Sequence, residues 1–224
     1  MTLTKACLFP ALLVLVALPG CDATVQPPLA PDPYSEAAFG HWLAAAEGHQ
    51  ASYDRFKAFL AGQQVAGVVP AWQLLRTDAN YAARCGIDAF ELPAEAKWPA
   101  IVPTLRLVRD NVIPVVGPVD VFASNRSAEL NDCVNGAIGS RHLAFAAVDL
   151  VAPGRTDKRQ LFVDLCAMHQ RVGARNGMGL GAYYDPARPQ ASRQGRFHID
   201  ASGFRTWGFG FTRATSACVT MHQA

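Results

Sequence analysis

The chain has 224 residues, of which 50% are hydrophobic and 17% are charged, and its formal net charge is +2. This composition supports a packed core and excludes wholesale disorder. The small net charge, with Lys and Arg scattered rather than arranged in a stripe, argues against a nucleic-acid-binding protein.

Residues 1–21 predict an export signal rather than part of the fold. One lysine precedes the apolar run CLFPALLVLVAL, which is too short to cross a membrane as a helix. The run closes with LPGC, which resembles the bacterial lipobox, although Pro19 is not the usual residue there. Cys21 would then carry a lipid anchor and be the sole membrane contact, whereas the alternative is ordinary cleavage nearby. The expected location is the bacterial cell envelope, either periplasmic or membrane-anchored as a lipoprotein.

Residues 22–33 and 34–98 predict two further segments. The first, DATVQPPLAPDP, is Pro-rich and lacks periodicity, which indicates an extended tether. The second is predicted to be helical, with helices over 34–62 and 71–77 and a turn-rich link, ELPAEAKWP, at its end. The apolar spacing in the stretch IVPTLRLVRDNVIP that follows predicts a helix from residue 101 that ends before Pro114.

The chain changes character after Pro114, and residues 99–224 are predicted to form the main domain. Helices are predicted over 127–134 and over 156–173, where Leu161, Leu165 and Met168 face inward. Alternating or short apolar patterns predict strands over five stretches: 119–124, 146–152, 178–184, 196–202 and 206–212. The expected fold class is α+β, a small and mostly antiparallel sheet with flanking helices, preceded by the helical segment.

Four cysteines remain outside the predicted signal, namely Cys85, Cys133, Cys166 and Cys218. An even number in an exported chain predicts two disulfides, and three pairings are open. We favour Cys85–Cys133 with Cys166–Cys218. A metal cluster of cysteines is disfavoured because no two of them are close in sequence.

His142, Asp149 and His198 are the candidate metal ligands. Zinc in a hydrolytic site takes three protein ligands from His and carboxylate groups and leaves a fourth position for water. His142 precedes a predicted strand that contains Asp149, and His198 stands in the alternating stretch RFHIDASG. Residues of these types are more often ordinary surface or core groups, so spacing alone does not establish the site. The weaker candidates lie on predicted helices or in the tail: His41, His49, His169 and His222.

Two longer stretches carry a family resemblance. ASNRSAELNDCVNGAIGSRHLAFAAVDLV and GLGAYYDPARPQASRQGRFHIDASGFRTWG contain S-x-H-x6-D, G-x-G-x-Y, H-x-D and R-x-W in order. This combination resembles the zinc D-Ala-D-Ala carboxypeptidase-like peptidases, whose superfamily includes D-Ala-D-Ala dipeptidases, murein endopeptidases and hedgehog-type domains. The resemblance covers about residues 99–210, implies their fold and leaves the helical segment outside.

The resemblance implies a role for several residues. His142, Asp149 and His198 become the zinc ligands, and Arg126 falls on an arginine that grips substrate or stabilises the developing oxyanion. Ser140 would bind substrate, with a loop-capping serine as the alternative. Trp207 would wall the site, with a core tryptophan as the alternative.

Three departures from the family pattern concern the loop and the general base. Phe145 replaces a common Gly, and Asn125 stands where Tyr often precedes the arginine. Gly195 and Arg196 occupy the positions of the Glu or His that serves as base in other members. Asp200 then remains as the candidate base, or alternatively it orients a ligand histidine.

The resemblance and the export signal together imply a zinc peptidase that hydrolyses D-Ala-containing peptide bonds of peptidoglycan, as a DD-carboxypeptidase or a murein endopeptidase. The missing base motivates an alternative, a non-catalytic zinc-containing module that binds cell wall. A third hypothesis is a fold retained for protein interaction.

Overall fold

The computed structural model of the protein describes residues 32–221. The predicted export signal with Cys21, most of the tether over 22–33, and His222 lie outside this range. Within it, none of the helices combines the length and the apolar character that a membrane span requires.

The predicted helix over 34–62 is two helices, α1 (Glu36–Ala45) and α2 (His49–Gly62). Ser35 caps α1 by accepting a hydrogen bond from the Ala38 backbone N–H at 3.2 Å. The helical conformation is interrupted at Gly48, whose φ of 86° lies in the left-handed region that glycine adopts readily. Short elements follow: a 3₁₀ turn at Ala71–Leu75, α3 (Ala82–Cys85) and a 3₁₀ turn at Glu95–Ala100.

The prediction that a helix ends before Pro114 is wrong. Helix α4 (Ile101–Leu107) continues through a π-helical turn at Val108–Val112 into α5 (Ile113–Val116). In the wider turn the Ile113 N–H donates to the Val108 carbonyl, five residues earlier. Pro114 has no N–H and in a regular helix would clash with the carbonyl four residues before it. In the π turn the hydrogen bonds run to the fifth residue before instead of the fourth, and the helix continues through Pro114.

The second half of the chain contains a five-stranded sheet. Its strands are β1 (Asp120–Ala123), β2 (Ala147–Val151), β3 (Gly179–Ala182), β4 (Phe197–Asp200) and β5 (Arg205–Trp207). They lie in the order β1-β2-β4-β3-β5, and all neighbouring pairs are antiparallel except the parallel pair of β3 and β5. The predicted α+β class, with a mostly antiparallel sheet and flanking helices, is confirmed.

The helices around the sheet are α6 (Ala128–Cys133), α7 (Lys158–Asn176) and α8 (Ala217–Thr220), with 3₁₀ turns at Pro189–Ser192 and Arg213–Thr215. Leu161, Leu165 and Met168 on α7 are buried, as its spacing predicts. The strand predicted over 206–212 stops at Trp207. The next residue, Gly208, packs so tightly on the Thr215 carbonyl that a Cβ would lie 1.7 Å from its oxygen.

Phe145 joins the helical segment to the sheet in one continuous core. Its φ of 54° keeps the left-handed backbone that a glycine would favour. Its ring is fully buried, with its centroid 6.0 Å from that of Phe56 on α2. Phe145 therefore accepts an unfavourable backbone conformation, and its buried ring packs residues 34–98 against the main domain.

Both favoured disulfides are confirmed. Cys85–Cys133 links the end of α3 to the end of α6, and Cys166–Cys218 links α7 to α8. Two disulfides indicate an oxidising environment outside the cytoplasm, because thiols are kept reduced inside most cells.

Candidate metal centre

The three predicted ligands meet because of the register of β2 and β4. Asp149 lies directly opposite His198 in this antiparallel pair, so both side chains leave the same face of the sheet. His142 comes from the loop before β2, where its Nδ1–H donates to the Ser124 carbonyl at 2.7 Å. That hydrogen bond leaves Nε2 of His142 with a free lone pair directed at the other two residues.

The atoms that could bind a metal form a small triangle. Nε2 of His142 lies 3.1 Å from Nδ1 of His198, which lies 2.9 Å from Oδ1 of Asp149. The third side, from His142 Nε2 to Asp149 Oδ1, is 3.5 Å. All three residues are buried, and the group can hold a metal ion.

The electrostatics of the triangle favour a positive charge at its centre. Burial alone would raise the pKa of Asp149, but His142 and His198 hold that pKa well below its usual value. Burial alone would lower the pKa of His198, but hydrogen bonds to Asp149 and Asp200 raise it overall. A buried cluster with these preferences retains a proton or a metal ion.

Asp200 lies behind His198, on the side away from the triangle. Its Oδ2 accepts a hydrogen bond from Nε2 of His198 at 3.1 Å, and Arg205 holds both carboxylate oxygens at 2.7 and 3.0 Å. Burial would raise the pKa of Asp200, but His198 and Arg205 bring it far below its usual value. Of the two roles left open by the sequence, this position fits a carboxylate that orients a ligand histidine.

Replacing Asp200 with asparagine is expected to weaken Zn²⁺ binding by roughly 10- to 100-fold, because His198 loses the carboxylate that fixes its ring and raises its basicity. Competition with a chelating dye measures this affinity. Asp132→Asn on the exposed surface of α6 is the matched control. Unchanged affinity with lost turnover would instead favour the general-base role.

Two glycines of β3 make room for this arrangement. A Cβ at Gly179 would lie 2.6 Å from Oδ2 of Asp200, and one at Gly181 would lie 2.8 Å from Cβ of His198. The ring of Tyr183 also crosses over Gly181, with its hydroxyl 2.9 Å from that position. The G-x-G-x-Y pattern thus has a steric cause, since larger residues would displace the histidine and its carboxylate.

The triangle lies at the floor of a cleft of about 850 Å³. Arg126, Ser140 and Trp207, the residues predicted to bind substrate, all line it. Trp207 is half-buried, its ring centroid is 5.1 Å from that of His198, and its Nε1–H donates to the Tyr183 hydroxyl at 3.1 Å. It is therefore a wall of the cleft rather than a core residue.

Ser140 and Arg126 both precede His142 in the sequence and line the same cleft. The Ser140 hydroxyl makes no hydrogen bond to the described residues, so the loop-capping alternative is not seen there. The Arg126 backbone N–H donates to the His142 carbonyl at 3.2 Å, and its side chain reaches within 3.9 Å of Asp78.

Asp78, Tyr183 and Arg196 also line the cleft, although none of them was predicted from the sequence to belong to the site. Burial raises the pKa of Asp78 and, more strongly, that of Tyr183, so the tyrosine stays a neutral donor. The sequence could have indicated two of them: Tyr183 ends the G-x-G-x-Y motif, and Arg196 lies two residues before the candidate ligand His198. Asp78 belongs to the helical segment and carries no such indication.

Comparisons with known proteins identify no family for the chain. No family model, no curated protein and no solved structure matches it.

Proposed function

We propose that the protein is a zinc-dependent peptidase of the cell envelope that hydrolyses D-Ala-containing peptide bonds of peptidoglycan. The observation that carries the proposal is the buried triangle of His142, Asp149 and His198 at the floor of a large cleft. Residues 99–210 resemble the D-Ala-D-Ala carboxypeptidase-like peptidases. On this resemblance we propose both the substrate class and the assignment of the sheet to the fold of those peptidases.

Zinc suits the donor atoms and their spacing. Around a tetrahedral zinc with bonds of ~2.0–2.1 Å, neighbouring ligand atoms lie ~3.3–3.4 Å apart. The sides of the triangle, 3.1, 2.9 and 3.5 Å, are close to that spacing. Bound zinc in such a set supplies a Lewis acid that polarises a carbonyl and lowers the pKa of a coordinated water toward ~7.

The cleft supports peptide binding beside this centre. Its size is that of ligand pockets in general, roughly 300–1,000 Å³. Trp207 offers a flat wall, and Arg126 offers a guanidinium that pairs with carboxylate or carbonyl oxygens. Hydrolysis consumes one water: its oxygen bonds to the carbonyl carbon, the C–N bond breaks, and the amine nitrogen takes a proton.

The two disulfides agree with a substrate outside the cytoplasm. Peptidoglycan is such a substrate, and the predicted export signal leads to the same compartment.

The test is a muropeptide digest. Purified chain with one equivalent of zinc is incubated with peptidoglycan, and the products are read by mass spectrometry. We expect a new product that names the bond cleaved and that disappears in Asp149→Asn. Unchanged muropeptides with zinc bound would contradict the proposal.

A specific observation favours a second candidate, the zinc-containing module that binds cell wall without cutting it. Asp200, the candidate base from the sequence, is held on the far side of His198 by Arg205. This candidate predicts that the zinc-loaded chain co-sediments with peptidoglycan and releases no product.

A further inference from the structure

We propose that Arg196, held in place by Asp78 of the helical segment, stabilises the negative charge that develops on the substrate carbonyl oxygen during hydrolysis. The inference rests on the proposed function and adds to it a catalytic residue, Arg196, and a positioning residue, Asp78. It also assigns a role to residues 34–98, which lie outside the family resemblance.

The position of Arg196 follows from strand alternation. It precedes β4 directly and is two residues before His198, so both side chains point to the face that carries the metal centre. Its Nη1 lies 3.5 Å from Oδ2 of Asp78 and 3.7 Å from Oδ2 of Asp149. The guanidinium therefore stands directly beside the metal ligands and lines the cleft.

The guanidinium is also fixed in orientation. It lies over two aromatic rings, 5.2 Å from the centroid of Phe122 and 5.4 Å from that of Tyr183. Its side chain is only 23% exposed. A cation held in this way needs little reorganisation when charge appears beside it, which is the condition for strong electrostatic catalysis.

Most of its donors remain available to a ligand. Among the described residues, the single hydrogen bond of the Arg196 side chain is the long one from Nη1 to Asp78. An arginine offers five N–H donors and stays charged at all relevant pH values. It cannot take a proton from water, so its contribution is charge stabilisation rather than base catalysis.

Asp78 acts through the arginines. It is 3% exposed, its Oδ1 accepts the Asn80 backbone N–H at 3.0 Å, and its Oδ2 faces both Arg196 and Arg126. Arg126, Arg196 and Asp78 together form a charged wall of the cleft. Because Asp149, the other carboxylate near Arg196, is a candidate metal ligand, Asp78 alone balances the two guanidiniums, and the charged wall keeps an excess positive charge. When the water oxygen adds to the carbonyl carbon, the π electron pair moves to the carbonyl oxygen, and that wall offsets its charge.

Helix α3 fixes this wall to the rest of the cleft. Asp78 lies four residues before α3, which the Cys85–Cys133 disulfide ties to α6, and α6 begins two residues after Arg126. The helical segment and the main domain thus contribute to one charged surface.

The experiment compares Arg196→Gln, Arg196→Lys and Asp78→Asn with wild type, all at saturating zinc and with one equivalent of zinc verified in each. Turnover is measured on the muropeptide identified in the digest. Calorimetry gives the affinity for a phosphinate analogue of D-Ala-D-Ala, whose tetrahedral anion resembles the hydrated peptide bond. Arg193→Gln, on the exposed surface five residues before His198, is the matched control.

We expect Arg196→Gln to lower kcat by about 10²–10³-fold, with little change in KM, and to weaken phosphinate binding by a comparable factor. Arg196→Lys should recover part of both losses because it restores the charge without the planar fork. Asp78→Asn should lower kcat by a smaller factor, and Arg193→Gln should match wild type.

Turnover within threefold of wild type in Arg196→Gln would overturn the inference and leave the proposed function intact. So would loss of zinc in that variant, because Arg196 would then only support the ligand Asp149. A wild-type chain that binds zinc and cleaves nothing would instead overturn the proposed function, and this inference with it.

Discussion

Replacing His198 with alanine is expected to weaken metal binding by more than about 100-fold. Loss of a residue that only orients a metal ligand usually weakens binding by roughly 10- to 100-fold. The change removes the nitrogen that is 2.9 Å from Asp149 and 3.1 Å from His142, and it leaves two ligands. Metal content by mass spectrometry under native conditions, followed by dye competition for Zn²⁺, measures the effect.

His41→Ala is the control for this prediction, since His41 is exposed on α1 and is not among the residues that line the cleft. It should bind one equivalent of Zn²⁺, as we expect of the wild-type chain. Full affinity in His198→Ala would show that these three side chains are not the metal site, whatever the protein does.

Phe145→Ala is expected to lower the free energy of unfolding by about 3–5 kcal/mol. The ring is fully buried and packs against the helical segment, so its removal leaves a cavity at the junction of the two parts of the chain. Alanine keeps a Cβ, and the cost of the left-handed backbone therefore stays nearly the same in both proteins. Urea unfolding with both disulfides intact measures the difference.

Phe211→Ala is a closely matched control for the ring. Phe211 has almost the same backbone, with φ of 55°, but its side chain is 79% exposed. Its replacement should change stability by no more than about 0.5 kcal/mol. Equal losses in the two variants would contradict the prediction, because they would mean that burial of the ring does not set its contribution to stability at position 145.

The two candidate metal ligands that lie on strands were predictable from the sequence. Asp149 stands in a short apolar run and His198 in an alternating one, and two antiparallel strands with an ordinary register bring such residues to one face. Local patterns also made the sheet strands and the long helix α7 predictable. The two disulfides were predictable because four cysteines allow only three pairings.

Asp78 and the helix through Pro114 were not predictable, since both depend on distant contacts. Nothing near Asp78 indicates that its carboxylate meets Arg196, 118 residues later in the chain. The rule that proline ends a helix is local, whereas the π turn that accommodates Pro114 is maintained by packing of Val108 and Val112 in the core. The role of Asp200 was open in the sequence because only its hydrogen bonds to His198 and Arg205 reveal which side of the histidine it occupies.

The pairing of the cysteines has a consequence for how the protein matures. Each disulfide joins two cysteines that are consecutive among the four described, so the pairs are neither nested nor crossed. A chain that enters an oxidising compartment from its N-terminus presents Cys85 and Cys133 before Cys166 and Cys218. Oxidation in order of arrival therefore gives the native pairs directly, and maturation should depend on a thiol oxidant but not on an isomerase that reshuffles wrong pairs.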